Sequence, residues 1–233
     1  MFMDICSMHI LIIAATHHEI GPTANFYSGK KNDRAENTIE TIVTGVGLVS
    51  TTYFLTKYIN RARPDIIIQA GIAGCFQLGK NNTIFAVQRD IISDLGVTEN
   101  NIFKDIFDLN LAGKNDSPFK DGWLTNPYRE LLSAGGFEQV NAVSVNESTT
   151  DANRTDWYQQ KYQPVVESME GAALHYVCLL EKIPFLQIRA VSNYIGERDK
   201  AKWSIKEAIA ILNENLLSLI KKISTQDETF FRI

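Results

Sequence analysis

Six short apolar runs punctuate the chain, each bounded by glycine, proline or asparagine: His9 to Ala15, Ile39 to Thr44, Asp65 to Ala70, Thr83 to Val87, Val140 to Val145 and Phe185 to Val191. They lack the alternation of a half-exposed strand, so they predict strands covered on both faces. Between them lie helical stretches at Leu48 to Asn60, Asn126 to Ala134, Met169 to Lys182 and Ile205 to Ile223. The last is the most sharply patterned. Ile205, Ile209, Leu212, Leu216, Leu219 and Ile223 recur at three- and four-residue steps behind a capping box of Ser204 and Glu207. Strands alternating with helices predict an α/β fold in which helices flank one central mixed, twisted β-sheet. The polar segment from Ser93 to Gly122, with Phe103 and Phe107 set among Asp and Asn, reads as long loops with little regular structure. Loops of that length in a compact domain tend to carry function or a subunit interface.

A chain of 233 residues without a composition shift or linker predicts a single domain, residues 8–224, with terminal extensions 1–7 and 225–233 that suggest no function. The net charge of -4 offers no basic field to a polyanion, which argues against nucleic acid as a partner. The apolar run at Ile10 to Ala15 is far too short for a bilayer and has no basic segment before it, so the expectation is a cytoplasmic protein without a membrane partner. Cys6, Cys75 and Cys178 are odd in number and lack CxxC spacing, which predicts reduced thiols rather than a disulfide framework or a zinc site.

Three signals point to chemistry that their context does not support. Gly74, Gly79 and Lys80 have the spacing of a phosphate-binding Walker loop, but Asn81 stands where Mg²⁺ needs a hydroxyl, and the following Thr83 to Val87 reads as a strand. Gly45 and Gly47 begin a dinucleotide fingerprint, but position 50 is Ser, and Asp65 lies at the start of the next strand instead of its end. His17 and His18 leave the first strand side by side with no further ligand at metal spacing, so one solvated and one packed histidine is the plainer expectation.

Glu19, Glu170 and Asn193 stand at the ends of predicted strands or the start of a helix, where open α/β sheets form their ligand crevices. Glu170 follows Met169 and precedes Gly171, Ala172 and Ala173, small residues that allow close approach of another element or a ligand. A carboxylate there also complements the helix dipole, for under about 1 kcal/mol.

Taken in order, five segments resemble the family of purine nucleoside phosphorylases and nucleosidases. They are Ile13-Ala14-Ala15 leading to Glu19, Thr44-Gly45-Val46-Gly47, Pro64-Asp65 through Gly71-Ile72-Ala73-Gly74, Met169-Glu170, and Arg189 through Ser192-Asn193. The resemblance implies a nucleoside phosphorylase-like fold, a small-molecule nucleoside substrate, no cofactor or metal, and a homo-oligomer. It assigns the ribose grip to Met169 and Glu170, activation of the attacking water to Glu19, and further substrate contacts to Gly71, Ile72 and Ser192. Such roles suit cleavage through an oxocarbenium-like ribosyl cation, which needs a base near the water and charge stabilisation on both sides of the breaking bond. The family's phosphorylases place Arg and Ser around the glycine turn, where this chain has Gln69 and Ile72, a departure that favours water over phosphate.

A second departure concerns the base. Adenine-specific nucleosidases of the family carry Asp where this chain has Asn193; an amide donates a hydrogen bond to purine nitrogen 7 or a 6-oxo group but has no proton to transfer. Asn193 therefore suggests a 6-oxopurine leaving group. The stretches Val166 to Gly171, His175 to Cys178, Ser192 to Lys200 with Trp203, and Asp94-Leu95-Gly96 followed by Phe103-Lys104-Asp105 resemble one subfamily, the futalosine hydrolases of the alternative menaquinone route. That resemblance implies release of hypoxanthine from futalosine. It also implies a basic and aromatic surface for the 5′ aryl carboxylate, with Arg198 or Lys200 and Phe103 or Phe107 as candidates, the last two offered by a neighbouring subunit. Residues 197 to 200 read equally as a solvated loop before the last helix. The alternatives are a methylthioadenosine/S-adenosylhomocysteine nucleosidase, a nucleoside phosphorylase, and a nucleoside-binding sensor without catalysis.

Overall fold

The computed structural model describes residues 7–28, 37–100, 102–226 and 230; Cys6, and with it most of the expected N-terminal extension, lies outside them. The central sheet is built around β3 (Ile66–Cys75), which pairs in parallel with β1 (His9–Ala14) on one side and β10 (Phe185–Tyr194) on the other. Beyond β1 lies β2 (Thr38–Val43), also parallel. β10 then meets β4 (Ile84–Asp90) antiparallel, β4 meets β8 (Glu138–Ser144) in parallel, β8 meets β9 (Val166–Ser168), and β9 returns antiparallel to the end of β3. The sheet is thus mixed, as expected, and its pairings close into a ring of five strands from which β1 and β2 extend.

Except for β2, an edge strand whose residues are half-exposed or exposed, the continuous apolar runs are strands for the reason their pattern suggests. Ile10 to Ala14, Ile66 to Ile68, and Phe185, Leu186 and Ile188 are wholly buried, with helices covering the sheet. The longest helix, α6 (Ile205–Ile223), has the bounds its periodicity predicts and buries Leu212, Leu216, Leu219 and Ile223. Its predicted capping box is absent. Ser204 occupies the N-cap, but its hydroxyl donates to the Ser192 carbonyl (3.3 Å) and so ties the helix to β10.

A capping box exists at a helix the apolar pattern does not reveal, α1 (His17–Tyr27). There the Thr16 hydroxyl accepts from the Glu19 amide and the Glu19 carboxylate accepts from the Thr16 amide (2.9 Å). This satisfies two amides that a helix start otherwise leaves without partners. Both His17 and His18 are exposed, so neither is packed as expected; helix formation at position 17 turns both side chains outward. α6 fixes α1 from behind, because Asn213 donates to the Glu19 carbonyl (2.8 Å) and accepts from the Thr23 amide (3.1 Å).

The segment from Ser93 to Gly122 is more ordered than its composition suggests. It carries the hairpin β5 (Gly96–Glu99) and β6 (Ile102–Asp105), and the Asp105 carboxylate accepts from the amides of Phe107 and Asp108 and from the Tyr162 hydroxyl. Phe103 and Phe107 are buried within their own chain, against Trp157 (ring centroids 5.0 Å) and Phe119 (5.2 Å), so neither is an exposed ring offered to a neighbour. A further helix, α4 (Ala152–Lys161), is capped by Asp151, whose carboxylate accepts from the Arg154 amide. The structure shortens the helix expected at Asn126 to Ala134 to α3 (Arg129–Ser133). Among the described residues no helix is long and apolar enough to cross a membrane.

Candidate active site

The parallel strands β1, β3 and β10 end on the same side of the sheet, and so do the N-termini of the helices that follow β1, β2 and β9. Between them lies a cavity of about 450 Å³, within the range of small-molecule sites. Its walls include Glu19, Ile72, Met169, Glu170, Ser192, Asn193 and Arg198, seven of the eight residues assigned from sequence. The eighth, Gly71, lies just behind. A methyl group there would come within 2.5 Å of Arg189 Nη1 and 2.9 Å of Glu19 Oε1, so its lack of a side chain lets these two groups converge.

Glu19 is held on both oxygens. Its Oε2 accepts from the amide and hydroxyl of Thr16, and its Oε1 accepts from the Ile72 amide at 3.1 Å. Oε1 keeps a lone pair free to accept from a molecule in the cavity.

Glu170 stands at the N-cap of α5 (Gly171–Glu181), yet it makes no side-chain bond to that helix. Its carboxylate instead accepts from the Gly47 amide (3.1 Å), at the start of α2 (Leu48–Ile59), an end that favours negative charge. Gly47 has φ of 91°, a conformation that requires glycine and aims its amide at Glu170. Gly47, at the end of the Gly45-Val46-Gly47 turn, therefore serves a carboxylate rather than a dinucleotide.

Arg189 lies beneath these groups, 1% exposed. Its guanidinium sits 3.6 Å from the Glu170 carboxylate and donates to the Ile72 carbonyl (3.5 Å) and to Gln69 Oε1 (3.0 Å). Ile72 thus engages Glu19 through its amide and Arg189 through its carbonyl. Sequence reasoning assigns Arg189 no role, because a buried arginine inside an apolar strand gains meaning only from the partners that tertiary structure supplies.

On the opposite wall, Asn193 Oδ1 accepts from the Ser192 hydroxyl (2.9 Å) and Nδ2 donates to the Tyr194 carbonyl (3.1 Å). One amide hydrogen remains without a protein acceptor. At the mouth, Arg198 is exposed and lies 5.6 Å from the Trp203 ring, while the neighbouring Glu197 is taken by Lys202 (2.7 Å), which holds its carboxyl below the usual range. Lys200 begins a 3-10 turn and does not line the cavity, so of the two candidate cations the site contains Arg198.

A second polar layer lies under α5. Asp90 is completely buried; burial raises its carboxyl to about 6, against bonds from the Ile91 amide and the Ser144 hydroxyl. Burial depresses His175 to about 4, and its Nδ1 lies 2.8 Å from the Leu124 carbonyl. Gly171 presses on this layer, since a methyl group there would meet Gln187 Nε2 at 2.2 Å and Asp90 Oδ2 at 2.3 Å. The small residues after Glu170 thus admit buried side chains. Cys75 and Cys178 are buried free thiols, both raised by burial, and among the described residues no group of three or more His, Cys, Asp or Glu is placed to hold a metal.

Comparison with known proteins fits this geometry. The model of the Phosphorylase superfamily matches residues 140–225, the stretch that carries Glu170, Arg189 and Asn193. The chain is 27% identical to the futalosine hydrolase of Acidothermus cellulolyticus, over 82% of this chain and 79% of that protein. Over that stretch the chain is similar to the Phosphorylase superfamily. The chain is also 25% identical to the 5′-methylthioadenosine/S-adenosylhomocysteine nucleosidase of Bacillus licheniformis, over 87% of this chain and 86% of that protein. The same fold is seen in the native futalosine hydrolase of Helicobacter pylori, which superposes with a TM-score of 0.77 at 15% identity, covering 92% of this chain and 98% of that one.

Proposed function

We propose that this protein, an N-glycosyl hydrolase of the nucleosidase class, acts on futalosine. It releases hypoxanthine and leaves dehypoxanthine futalosine, a step in menaquinone formation by the futalosine route. The observation that carries the choice of substrate is Asn193, a cavity-lining amide with one hydrogen left over from its own bonds, where the resemblance to adenine-cleaving nucleosidases implies a carboxyl group. The curated futalosine hydrolases at 26 to 28% identity support it.

In this reading the ribose lies between Met169 and Glu170, whose carboxylate accepts from its hydroxyls and faces the positive charge that develops on the sugar. Water bound to Glu19 attacks C1′ while the C1′–N9 bond breaks and its electron pair leaves with the purine. Glu19 accepts the water's proton. Asn193 donates to the 6-oxo group or nitrogen 7 and stabilises the departing charge without itself losing a proton. Arg198, beside Trp203 at the mouth, receives the 5′ aryl carboxylate. Water rather than phosphate is the nucleophile, because Gln69 turns inward to Arg189 and Ile72 presents carbon to the cavity.

A homo-oligomer accompanies this reading. Val46, Val49, Tyr53 and Phe54, on and just before α2, are exposed apolar side chains close to the cavity wall, a surface suited to a second copy of the chain.

The 25% identity to methylthioadenosine/S-adenosylhomocysteine nucleosidases keeps an adenine-cleaving enzyme as the second reading. Asn193→Asp separates the two: the variant should shift base preference toward 6-aminopurines, and an unchanged hypoxanthine to adenine ratio contradicts the assignment of Asn193.

A further inference from the structure

Asp90, at the end of β4, belongs to the buried layer under α5, and its two oxygens differ in their surroundings. Oδ1 accepts from the Ile91 amide (2.8 Å) and from the Ser144 hydroxyl (3.0 Å), whereas Oδ2 is buried without a hydrogen-bond partner. Three more buried atoms of the layer lack partners: His175 Nε2 and both ends of the Gln187 amide. Gln187 interacts with Asp90 and with His175, and a methyl group on Gly171 would meet Gln187 Nε2 at 2.2 Å and Asp90 Oδ2 at 2.3 Å, so these two atoms stand together. Four unpartnered polar atoms in one buried layer are costly, and the arrangement of protons that pairs them is favoured.

That arrangement follows from one fixed point. His175 Nδ1 lies 2.8 Å from the Leu124 carbonyl, which has no hydrogen to give, so Nδ1 carries the proton. Neutral His175 then has an acceptor at Nε2, and the donor it needs is the NH₂ of Gln187. A half-turn of the Gln187 amide exchanges its nitrogen and oxygen in place, so with the NH₂ turned to His175 the amide oxygen faces Asp90. Two facing oxygens bind only if one of them holds a hydrogen, and Asp90 Oδ2 is the one that can. The relay therefore runs from the Asp90 hydroxyl through Gln187 and His175 to the carbonyl of Leu124. Leu124 is itself the pairing partner of Asp90 where β7 (Leu124–Thr125) meets β4.

Arg189 links this relay to the cavity. Gln187 and Arg189 are two residues apart on β10 and so share a face, and the Arg189 charge acts on both Asp90 and His175. The charged or titratable groups facing Asp90 are thus Arg189 from β10 and, through Gln187, His175 from α5, beside the uncharged Ser144 of β8 and Leu124 of β7. An ionised Asp90 would be a second carboxylate for a guanidinium that lies 3.6 Å from Glu170.

We propose that Asp90 is a positioning residue that works as a neutral acid: its Oδ2 hydroxyl locks Gln187 and His175 and leaves the Arg189 charge undivided for Glu170. The effect on turnover rests on the nucleosidase reading, and the relay itself does not. Burial, which raises the Asp90 carboxyl to about 6, agrees with a bound proton, and a relay that stabilises the neutral form raises it further. Loss of the proton as pH rises frees Gln187 and draws Arg189 from Glu170, so activity falls on the alkaline side.

Asp90→Asn tests this. Its Oδ1 accepts from Ile91 and Ser144 as before, and its NH₂ replaces the Oδ2 hydroxyl with a donor that does not titrate. Hypoxanthine release from futalosine is followed from about pH 5 to about pH 9, and kcat/KM of the unmodified protein should fall by about threefold or more through an ionisation above about 6. Asp90→Asn should match the unmodified protein at the acid end and lack the fall. NMR of carboxyl-labelled aspartates in the full-length protein, with the Asn variant identifying the Asp90 signal, reads the proton without turnover. Asp90 should titrate at about 6 or higher, above the surface aspartates. Titration together with the surface aspartates, an unmodified protein without the alkaline fall, or an Asn variant that keeps it overturns the proposal. If futalosine releases no base, the nucleosidase reading falls with the positioning role, and the NMR titration still decides the relay.

Discussion

The Arg189 guanidinium lies 3.6 Å from the Glu170 carboxylate, and both side chains are almost completely buried. Two charges taken out of water stabilise a structure only when their geometry and remaining hydrogen bonds are good, and removal of one partner costs about 3–5 kcal/mol because the other is left unpaired. Here Arg189 also binds Gln69 and Ile72, and Glu170 also binds the Gly47 amide, so the pair is braced from both ends. Arg189→Ala should therefore unfold at markedly lower denaturant concentration. Arg189→Lys, which keeps the charge but not the planar fork, should fold and lose at least tenfold in kcat/KM. Near-normal kinetics in the lysine variant would remove Arg189 from the positioning of Glu170.

Gly71→Ala separates positioning from stability. The new methyl group would press on the ends of two side chains, Arg189 and Glu19, rather than on backbone. Side-chain ends can move, so the stability cost should stay below about 2 kcal/mol. Their displacement should lower kcat/KM more than tenfold. A melting curve and steady-state kinetics on the same preparation check both parts.

Glu19→Gln removes proton acceptance and, because its NH₂ cannot accept, the hydrogen bond from the Ile72 amide. Gln at the third position of α1 can still return a hydrogen bond to Thr16, so the capping box and the helix should persist. Substrate binding should survive, while kcat should fall by roughly 10²–10⁴, the usual contribution of a general base. A variant with normal turnover would exclude Glu19 as the base.

The buried layer under α5 predicts opposing pH effects on stability. His175, depressed to about 4, stays neutral in the folded protein while the unfolded chain takes up a proton below about 6.5, so its contribution is lost as pH falls from 6.5 toward 4. Asp90, raised to about 6, keeps its proton in the folded protein while the unfolded chain releases its own near 4, so its contribution is lost as pH rises from 4 to 6. Each slope is about 1.4 kcal/mol per pH unit. His175→Gln should remove one of them: relative to the parent protein, the variant should gain stability as pH falls from 6.5 to 4.5. Urea denaturation across that range gives the difference, which should change by roughly 2 kcal/mol. A constant difference would contradict the burial of a neutral His175.

Much of this architecture is legible in the chain because it rests on local patterns. Continuous apolar runs mark β1, β3 and β10, since a strand covered on both faces needs carbon at every position, and period-3.6 spacing marks α6. Helix α1 is obscured by Gly21 and Pro22 within it, although the spacing of Thr16 and Glu19 is itself a helix-start signal. The polar α4 buries Tyr158 but has no continuous apolar stripe to announce it. Seven of the eight assigned residues meet in one cavity, because strand ends and helix starts are where such folds form crevices. Arg189 lies in one of the same motifs, but its significance depends on burial and on the partners that tertiary structure supplies.

The central claim is tested most directly by incubating the protein with futalosine, inosine and methylthioadenosine, with and without phosphate, and identifying the free base. The account predicts hypoxanthine released from futalosine at a rate independent of phosphate, in preference to inosine and to adenine release from methylthioadenosine. Adenine as the preferred product, a rate that requires phosphate, or tight binding without release of any base would contradict it.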